Sequence, residues 1–477
     1  MPLAPGYRPV PRVTSLGEGF YDVVAPARFP QRRLRYRNQA WAARVGLDTL
    51  TDDEWERHLA RFEPLLCNLH EPLALRYHGH QFGVYNPALG DGRGFLFAQM
   101  LDTGAKTRRI LDLGTKGSGP TPWSRGGDGK LTLKGGVREV LATSMLEALG
   151  VDTSKSFSLF ETGEKLQRGD EPSPTRSSVL VRLSHSHLRF GTFQRLAHER
   201  DTPRMRRLLE YVVAQYMPEL GVVRDGDGGL PLAFLREVTR RSADLCASWM
   251  IAGFVHGVLN TDNMNVTGES FDYGPYRFLP TYDPAFVAAY FDHTGLYAYG
   301  RQPSAVLWNV TRLADAVSVL APSTSFAAVL LEFEPAFAAA LQARLCARLG
   351  VASRGTDEDA QLFDAAFGFL EASQVGFDRF FFDWYAGSAS HARAKASPAG
   401  ASYAGDSFEV FARALGAYTP TRPELLHTPY FQQRAPETLL IDEIESIWSH
   451  IAEVDDWTPF DAKLERIAAM PRLWAVV

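Results

Sequence analysis

Lys116, Asn263 and Asp272 are residue types that together can hold a phosphorylated nucleotide and a hard cation. Lys116 closes the apolar run RILDLGTKG, a position from which a strand would present its ammonium to a cleft. Glu139 follows 23 residues later within a helical pattern. A strand lysine paired with a helix glutamate is oriented toward phosphate oxygens. Standing alone, the two would read as a surface lysine and a solvated helix glutamate. Asn263 and Asp272 offer amide and carboxylate oxygens, the donors that Mg²⁺ takes and Mn²⁺ also accepts.

Three further segments carry polar chemistry. GDGRGFLF (90–97) has Gly90, Gly92 and Gly94 for close approach of a ligand, with Arg93 adding a positive charge. A strand pattern follows it, not a helix, so it is neither a dinucleotide fingerprint nor a P-loop, and a plain hairpin turn is the competing reading. WSRGGDGKLTLKGG (123–136) contains Arg125, Asp128, Gly129 and Lys130. It is either a mobile surface loop or a nucleotide contact. VRLSHSHLRFGTF sets Arg182 and Arg189 seven residues apart, with His185 and His187 between them. The histidines have no further ligand nearby at metal spacing. The arginines suit bidentate phosphate binding, and a structural salt bridge explains them equally well.

The most informative stretch is FVHGVLNTDNMNVTGESFDYGP (254–275). Protein kinases carry H-R-D-x-x-x-x-N followed by D-F-G. On that pattern His256 takes the His place, Asn263 the Asn place and Asp272 the metal-binding Asp place, with Tyr273 for Phe and Gly274 kept. Val258 stands where a kinase has its catalytic aspartate, and valine cannot accept a proton.

The elements that must position these residues follow from periodicity. Residues 75–190 are glycine-dense, with the short apolar runs GFLFAQM, RILDLGTKG and SVLVRLS, the texture of an antiparallel sheet. One helix interrupts them from about Gly136, with Val137, Val140, Leu141 and Met145 on one face and Gly150 as its stop. An earlier helix is expected near 52–66, capped by Thr51 or Asp52. After about 200 the pattern is helical. Met205, Leu208, Leu209, Val212, Val213 and Tyr216 make one stripe, and Val238, Leu245, Trp249 and Ala252 a second. Residues 305–385 are mostly helix, and 388–405 is expected to be an exposed loop.

With 477 residues, 45% hydrophobic and 22% charged, the chain can bury a large core in two or three parts. A net charge of −5 gives no support for nucleic acid or an anionic membrane as partner, so anion binding must come from local Arg and Lys clusters. Cys67, Cys246 and Cys346 are far apart, which fits neither a disulfide framework nor a zinc site and suits a reducing compartment. The N-terminus lacks a signal-peptide core, and Glu332 and Glu334 interrupt the most apolar stretch, so no membrane span is expected. A cytoplasmic location is the expectation.

From about Pro72 to Leu320 the motifs YHGHQFG, LGDGRG, KGSG-x-TP-x-SR-x-GDG, SH-x-RFG, HGV-x-NTDNM and FDYGP resemble the selenoprotein O (SelO/YdiU) family. The resemblance implies an α+β, protein-kinase-like two-lobed fold: an N-terminal extension (1–70), a β-rich N-lobe (71–195), an α-rich C-lobe (196–385) and a C-terminal helical extension (386–477). It implies a metal-dependent protein adenylyltransferase that places AMP from ATP on Ser, Thr or Tyr hydroxyls of protein substrates. Gly90, Gly92, Arg93, Lys116, Asp128, Gly129, Arg182, Arg189 and Asp272 would bind ATP, with Glu139 supporting Lys116. Asn263 and Asp272 would bind Mg²⁺ or Mn²⁺. Asp262 matches the proton acceptor and is the nearest carboxylate able to replace the one lost at Val258. A silent pseudokinase scaffold, UMP transfer from UTP and a true kinase using Asp262 are the alternatives. Many family members end in a cysteine or selenocysteine motif that has no counterpart here, so redox control through a C-terminal disulfide is not expected.

Overall fold

In the computed structural model, which describes residues 5–105, 108–222, 229–321 and 323–472, an antiparallel sheet precedes a helical region. The strands are β1 (Tyr21–Val23), β2 (Arg33–Arg37), β3 (Leu73–Leu75), a separate hairpin β4 (Gly79–Gln81) and β5 (Val84–Asn86), then β6 (Leu96–Leu101), β7 (Ile110–Lys116), β8 (Leu131–Thr132), β9 (Lys155–Leu166) and β10 (Thr175–Ser184). The main sheet runs β1-β3-β6-β7-β10-β9-β2, with β8 beside β10. Register decides what each face carries. Leu180 lies opposite Lys116 and Arg182 opposite Gly114. Residues opposite one another in an antiparallel pair share a face, so Lys116 and Arg182 project together. Leu111, Leu113, Val181 and Leu183 project the other way, into a core closed by Trp41, Trp55, Leu59 and Phe62. Residues before 70 thus supply two strands of the sheet and the cover of its back.

The helix that crosses the cleft side is Leu133–Ala148, three residues longer at its start than its glycines suggested. Thr132 explains the difference: its side chain accepts the Gly135 N–H as an N-cap. Val137, Val140, Leu141 and Met145 are buried as the period requires, and Glu139 is buried with them. The early helix is shorter than expected, Asp52–Leu59; Thr51 and Glu54 form its capping box.

Both apolar stripes are realised in Thr202–Tyr216 and Gly229–Ala252. Stacked and edge-on aromatics from Phe369, Phe380, Trp384, Tyr403, Phe408 and Phe411 form a further core. Residues 388–405 are largely exposed, as expected, but are not loop throughout. They fold into short helices with Ser390, Ala394 and Tyr403 buried, and the Tyr403 hydroxyl donates to Asp383 at 2.8 Å. The stretch Ser325–Arg348 is, against expectation, apolar and long enough by composition to cross a membrane. It folds as two helices broken at Leu331–Glu332, the second lying on Gly229–Ala252.

The last helices, Ile441–Val454 and Thr458–Ala468, return to the sheet side and pack on Leu133–Ala148. Asp455 ties them to β2 and β10 through Arg35 and Arg176, at 2.8 and 2.7 Å.

Candidate active site

A cavity of about 660 Å³ lies between the cleft face of the sheet and the loops of 258–272. β7 delivers Lys116 and β10 delivers Arg182 by the register above. The turn after β10 delivers Arg189, and the loop after the Phe254–Val255 strand delivers Val258, Asn260, Asp262, Asn263 and Asp272. Glu139 stands behind the wall. Lys116 Nζ contacts its carboxylate and also lies 2.6 Å from Asp272. Arg182 approaches the same Asp272 oxygen at 3.5 Å. Arg189 donates to the Asp262 carbonyl at 2.8 Å, faces Asp91 at 3.5 Å and lies over the Tyr77 and Phe271 rings.

The two facing carboxylates are held differently. Burial pushes Asp272 up, but Lys116, Arg182, Arg93 and Arg189 outweigh it and hold the group well below the usual carboxylate range. Its backbone sits at φ +66°, a left-handed conformation that Asp tolerates better than most residues. For Asp262 burial dominates: Arg189 opposes it only partly, Asp272 adds to it, and the carboxyl is pushed up to about 6. Its Oδ1 is buried without a hydrogen-bond partner. Asn263 donates its amide to the Val258 carbonyl at 3.0 Å, which fixes the side chain and leaves its oxygen as the free acceptor.

Every expected site residue except Glu139 lines this cavity. The glycines also meet a packing demand that the sequence reading did not include. A Cβ on Gly90 would strike the Trp123 ring at 2.4 Å, and one on Gly92 would meet the Trp123 carbonyl at 2.7 Å. The turn is glycine-rich because it packs under the 121–124 loop. That loop and the residues after it, left open by the sequence, belong to the wall: Trp123, Arg125, Asp128, Gly129 and Lys130 all line it. Sequence reasoning missed Arg168 and Asp91. Arg168 grips Asp128 through two bonds of 2.9 and 3.0 Å from the β9–β10 turn. Asp91 accepts the Leu75 N–H at 3.0 Å and faces Arg189; its signal was a carboxylate inside a glycine-rich turn. The wall carries seven Arg and Lys against four Asp, a local excess of positive charge on a chain of net charge −5.

Among the described residues no group of three or more His, Cys, Asp and Glu is arranged for a metal. His185 and His187 are not a pair of ligands: the His185 ring meets Tyr216, and the His187 ring occupies the space a side chain at Gly114 would need. The donor set that does fit Mg²⁺ is sparse. Asp272 and Asn263 supply hard oxygens to the cavity, and Asp262 Oδ1 is unpartnered beside them. Mg²⁺ uses one or two protein oxygens and completes its shell with phosphates and water, so this set is compatible with it.

A family model described as "Protein adenylyltransferase SelO" matches residues 7–468. A protein nucleotidyltransferase YdiU of Gloeobacter violaceus is 46% identical over 461 residues, covering 94% of this chain and 92% of its own. Proteins of the same name from Synechocystis sp. and Trichormus variabilis are each 42% identical, covering 96% and 94% of this chain and 97% and 93% of their own.

Proposed function

The chain belongs to the SelO family and is a protein nucleotidyltransferase, and from that premise we propose that it transfers AMP from ATP to Ser, Thr or Tyr hydroxyls of other proteins. The observation that carries this reading is the separation of Asp262 from Asp272 within one cavity. One carboxyl is pushed up to about 6 and has a free oxygen; the other is pinned low by cations. Paired titratable groups driven apart in this way divide into a proton acceptor and a charge holder.

In the proposed reaction the acceptor hydroxyl oxygen attacks the α-phosphorus, and its proton passes to the Asp262 carboxylate. The bond from the α-phosphorus to the oxygen bridging toward the β-phosphate breaks, and pyrophosphate leaves. Lys116, held by Glu139, and Arg182 and Arg189 bind phosphate oxygens on which charge accumulates, and such positioned cations supply most of the rate. Arg189 also fixes the backbone of Asp262, so one guanidinium orients the base and meets the phosphates. Gly90, Gly92, Arg93, Asp128 and Gly129 form the wall against the rest of the nucleotide. Asn263 and Asp272 would hold Mg²⁺, or Mn²⁺ in its place. Held there, the ion would supply charge neutralisation for the phosphates.

The sheet with its crossing helix, followed by the helical region, supports a protein-kinase-like two-lobed fold with lobes at 71–195 and 196–385 and flanking segments at 1–70 and 386–477. ATP and proteins are the partners assigned, in the cytoplasm, with neither nucleic acid nor membrane. Incubation with α-labelled and γ-labelled ATP tests the reading: α label should enter protein with release of pyrophosphate. Transfer of γ label alone would overturn it. Parallel α-labelled UTP measures the choice of base.

A further inference from the structure

An acceptor hydroxyl must reach Asp262 from another protein, and the surface beside Asp262 carries an unusual apolar patch. Hairpin β4–β5 rises next to it. A Cβ on Gly79 would lie 3.2 Å from Asp262 Cβ, so the base of the hairpin rests on that residue. The His80 N–H donates to Thr261 Oγ at 2.7 Å, and the Phe82 N–H donates to Asn260 Oδ1 at 3.0 Å. The hydroxyl of Tyr297 donates to the same Asn260 oxygen at 2.7 Å. Gln81 and Asn260 line the cavity. Hairpin, base and the 290–297 segment are therefore joined through one short loop.

The tip of this hairpin is strained in favour of exposure. Phe82 and Gly83 form its turn with φ of +49° and +78°. Such turns favour Asn-Gly, and a bulky residue there is an outlier. Phe82 is 38% exposed and Val84 70%. Phe291, 41% exposed, meets Phe82 with rings 5.9 Å apart, and Tyr290, 77% exposed, packs on Phe291 at 5.1 Å. Of twelve large apolar side chains exposed among the described residues, Phe82 and Val84 share the hairpin and Tyr290 and Phe291 adjoin its tip through ring contacts, with Leu296 next in the chain to Tyr297, whose ring meets Phe82. Single exposed apolar residues are ordinary; a contiguous patch at the rim of a cavity marks a contact surface. Strain at its centre agrees, since strained residues persist where function uses them.

We infer that Phe82, Val84, Tyr290, Phe291 and Leu296 dock the acceptor protein, taking an extended segment whose large apolar side chain neighbours the hydroxyl to be modified. This rests on the transfer reading above. Asp262 is only 8% exposed, so a hydroxyl on a flat folded surface cannot reach it, whereas an extended segment can. Strand β5 pairs with β4 alone, which leaves an edge along which such a segment can lie.

The test uses the full chain with α-labelled ATP and paired peptides that differ only in whether Leu or Gly flanks the acceptor hydroxyl. The wild type should favour the Leu-flanked peptide by about tenfold in kcat/KM, the scale of one apolar contact. Phe82→Asn, which suits the turn, and the double variant Tyr290→Ser/Phe291→Ser should each lose that preference while binding ATP as before. Absence of a preference in the wild type, or its survival in both variants, overturns the docking surface and leaves AMP transfer standing. If α label enters no peptide or protein, the transfer reading fails and this one with it. Sedimentation of wild type and double variant covers the other occupants: a patch-dependent dimer, or patch-dependent binding to phosphatidylcholine vesicles, would reassign the surface.

Discussion

At one end of the cavity Asp272 lies 2.6 Å from Lys116 and 3.5 Å from Arg182, with Glu139 behind the lysine. At the other, Asp262 keeps a buried oxygen without a partner, and its nearest guanidinium bonds its backbone carbonyl instead. The carboxyl groups are chemically identical and share one cavity. What differs is where the cations sit: Lys116 and Arg182 beside Asp272 hold it well below the usual carboxylate range, while Asp262 has no such pair and burial pushes it up to about 6. Burial raises both; only direct pairing reverses it.

The largest expected effect is at the paired end. Asp272→Ala should lower AMP transfer by about 10³-fold or more, measured with α-labelled ATP, because a donor of the proposed ion site and the charge partner of Lys116 go together. Lys116→Met should cost about 10²–10³-fold in transfer and, by leaving Glu139 and Asp272 buried without their cation, about 3–5 kcal/mol of stability in denaturant titration. Adding Glu139→Gln should recover much of the stability and none of the activity, which separates the pair's structural role from its chemical one.

At the unpaired end the effects are smaller and opposite in sign for stability. Asp262→Asn should reduce transfer by about 10²-fold, since phosphoryl-type transition states need little early proton removal, with ATP binding retained. The wild-type kcat/KM should rise with pH up to about 6 and flatten above it, and the variant should lose that inflection. Because burial raises the pKa of Asp262 in the folded state, its contribution to stability is full below the unfolded carboxylate pKa of about 4 and is lost as pH rises through about 6. Asp262→Asn should therefore be more stable than wild type by ~1–3 kcal/mol at pH 8, and the gain should vanish near pH ~4, followed by melting temperature. An equal loss of stability at both ends would break the comparison. The smallest effect is at the rim: Arg168→Ala should change stability by less than ~1 kcal/mol, since its pair with Asp128 is half exposed, yet raise the KM for ATP several-fold.

Much of the site was legible because its residue types are scarce in their settings. A lysine ending an apolar strand, a glutamate 23 residues later on the helix that follows, and Asn and Asp in a loop leaving a buried helix each stand out from their surroundings. Glu139 was legible as a partner but not as a buried one. The packing of the glycine-rich turn against Trp123 was not legible, since Trp123 lies 33 residues away from Gly90 and nothing local connects them. Residues 388–405 misled because small polar side chains look like a loop, whereas Ser390, Ala394 and Tyr403 anchor short helices to the core. Arg168 looked like any residue of an exposed turn.

The sequence by itself determined which groups could do chemistry, the periods of the elements that carry them, and the family to which the chain belongs. Those are properties of residue identity and local spacing. The tertiary structure alone decided that Lys116 meets both Glu139 and Asp272, that Arg189 holds the backbone of Asp262, and that Phe82 stands exposed beside it. The reason is physical: protonation, pairing and exposure depend on distances of a few ångströms between segments far apart in sequence, and strand register and core packing set those distances.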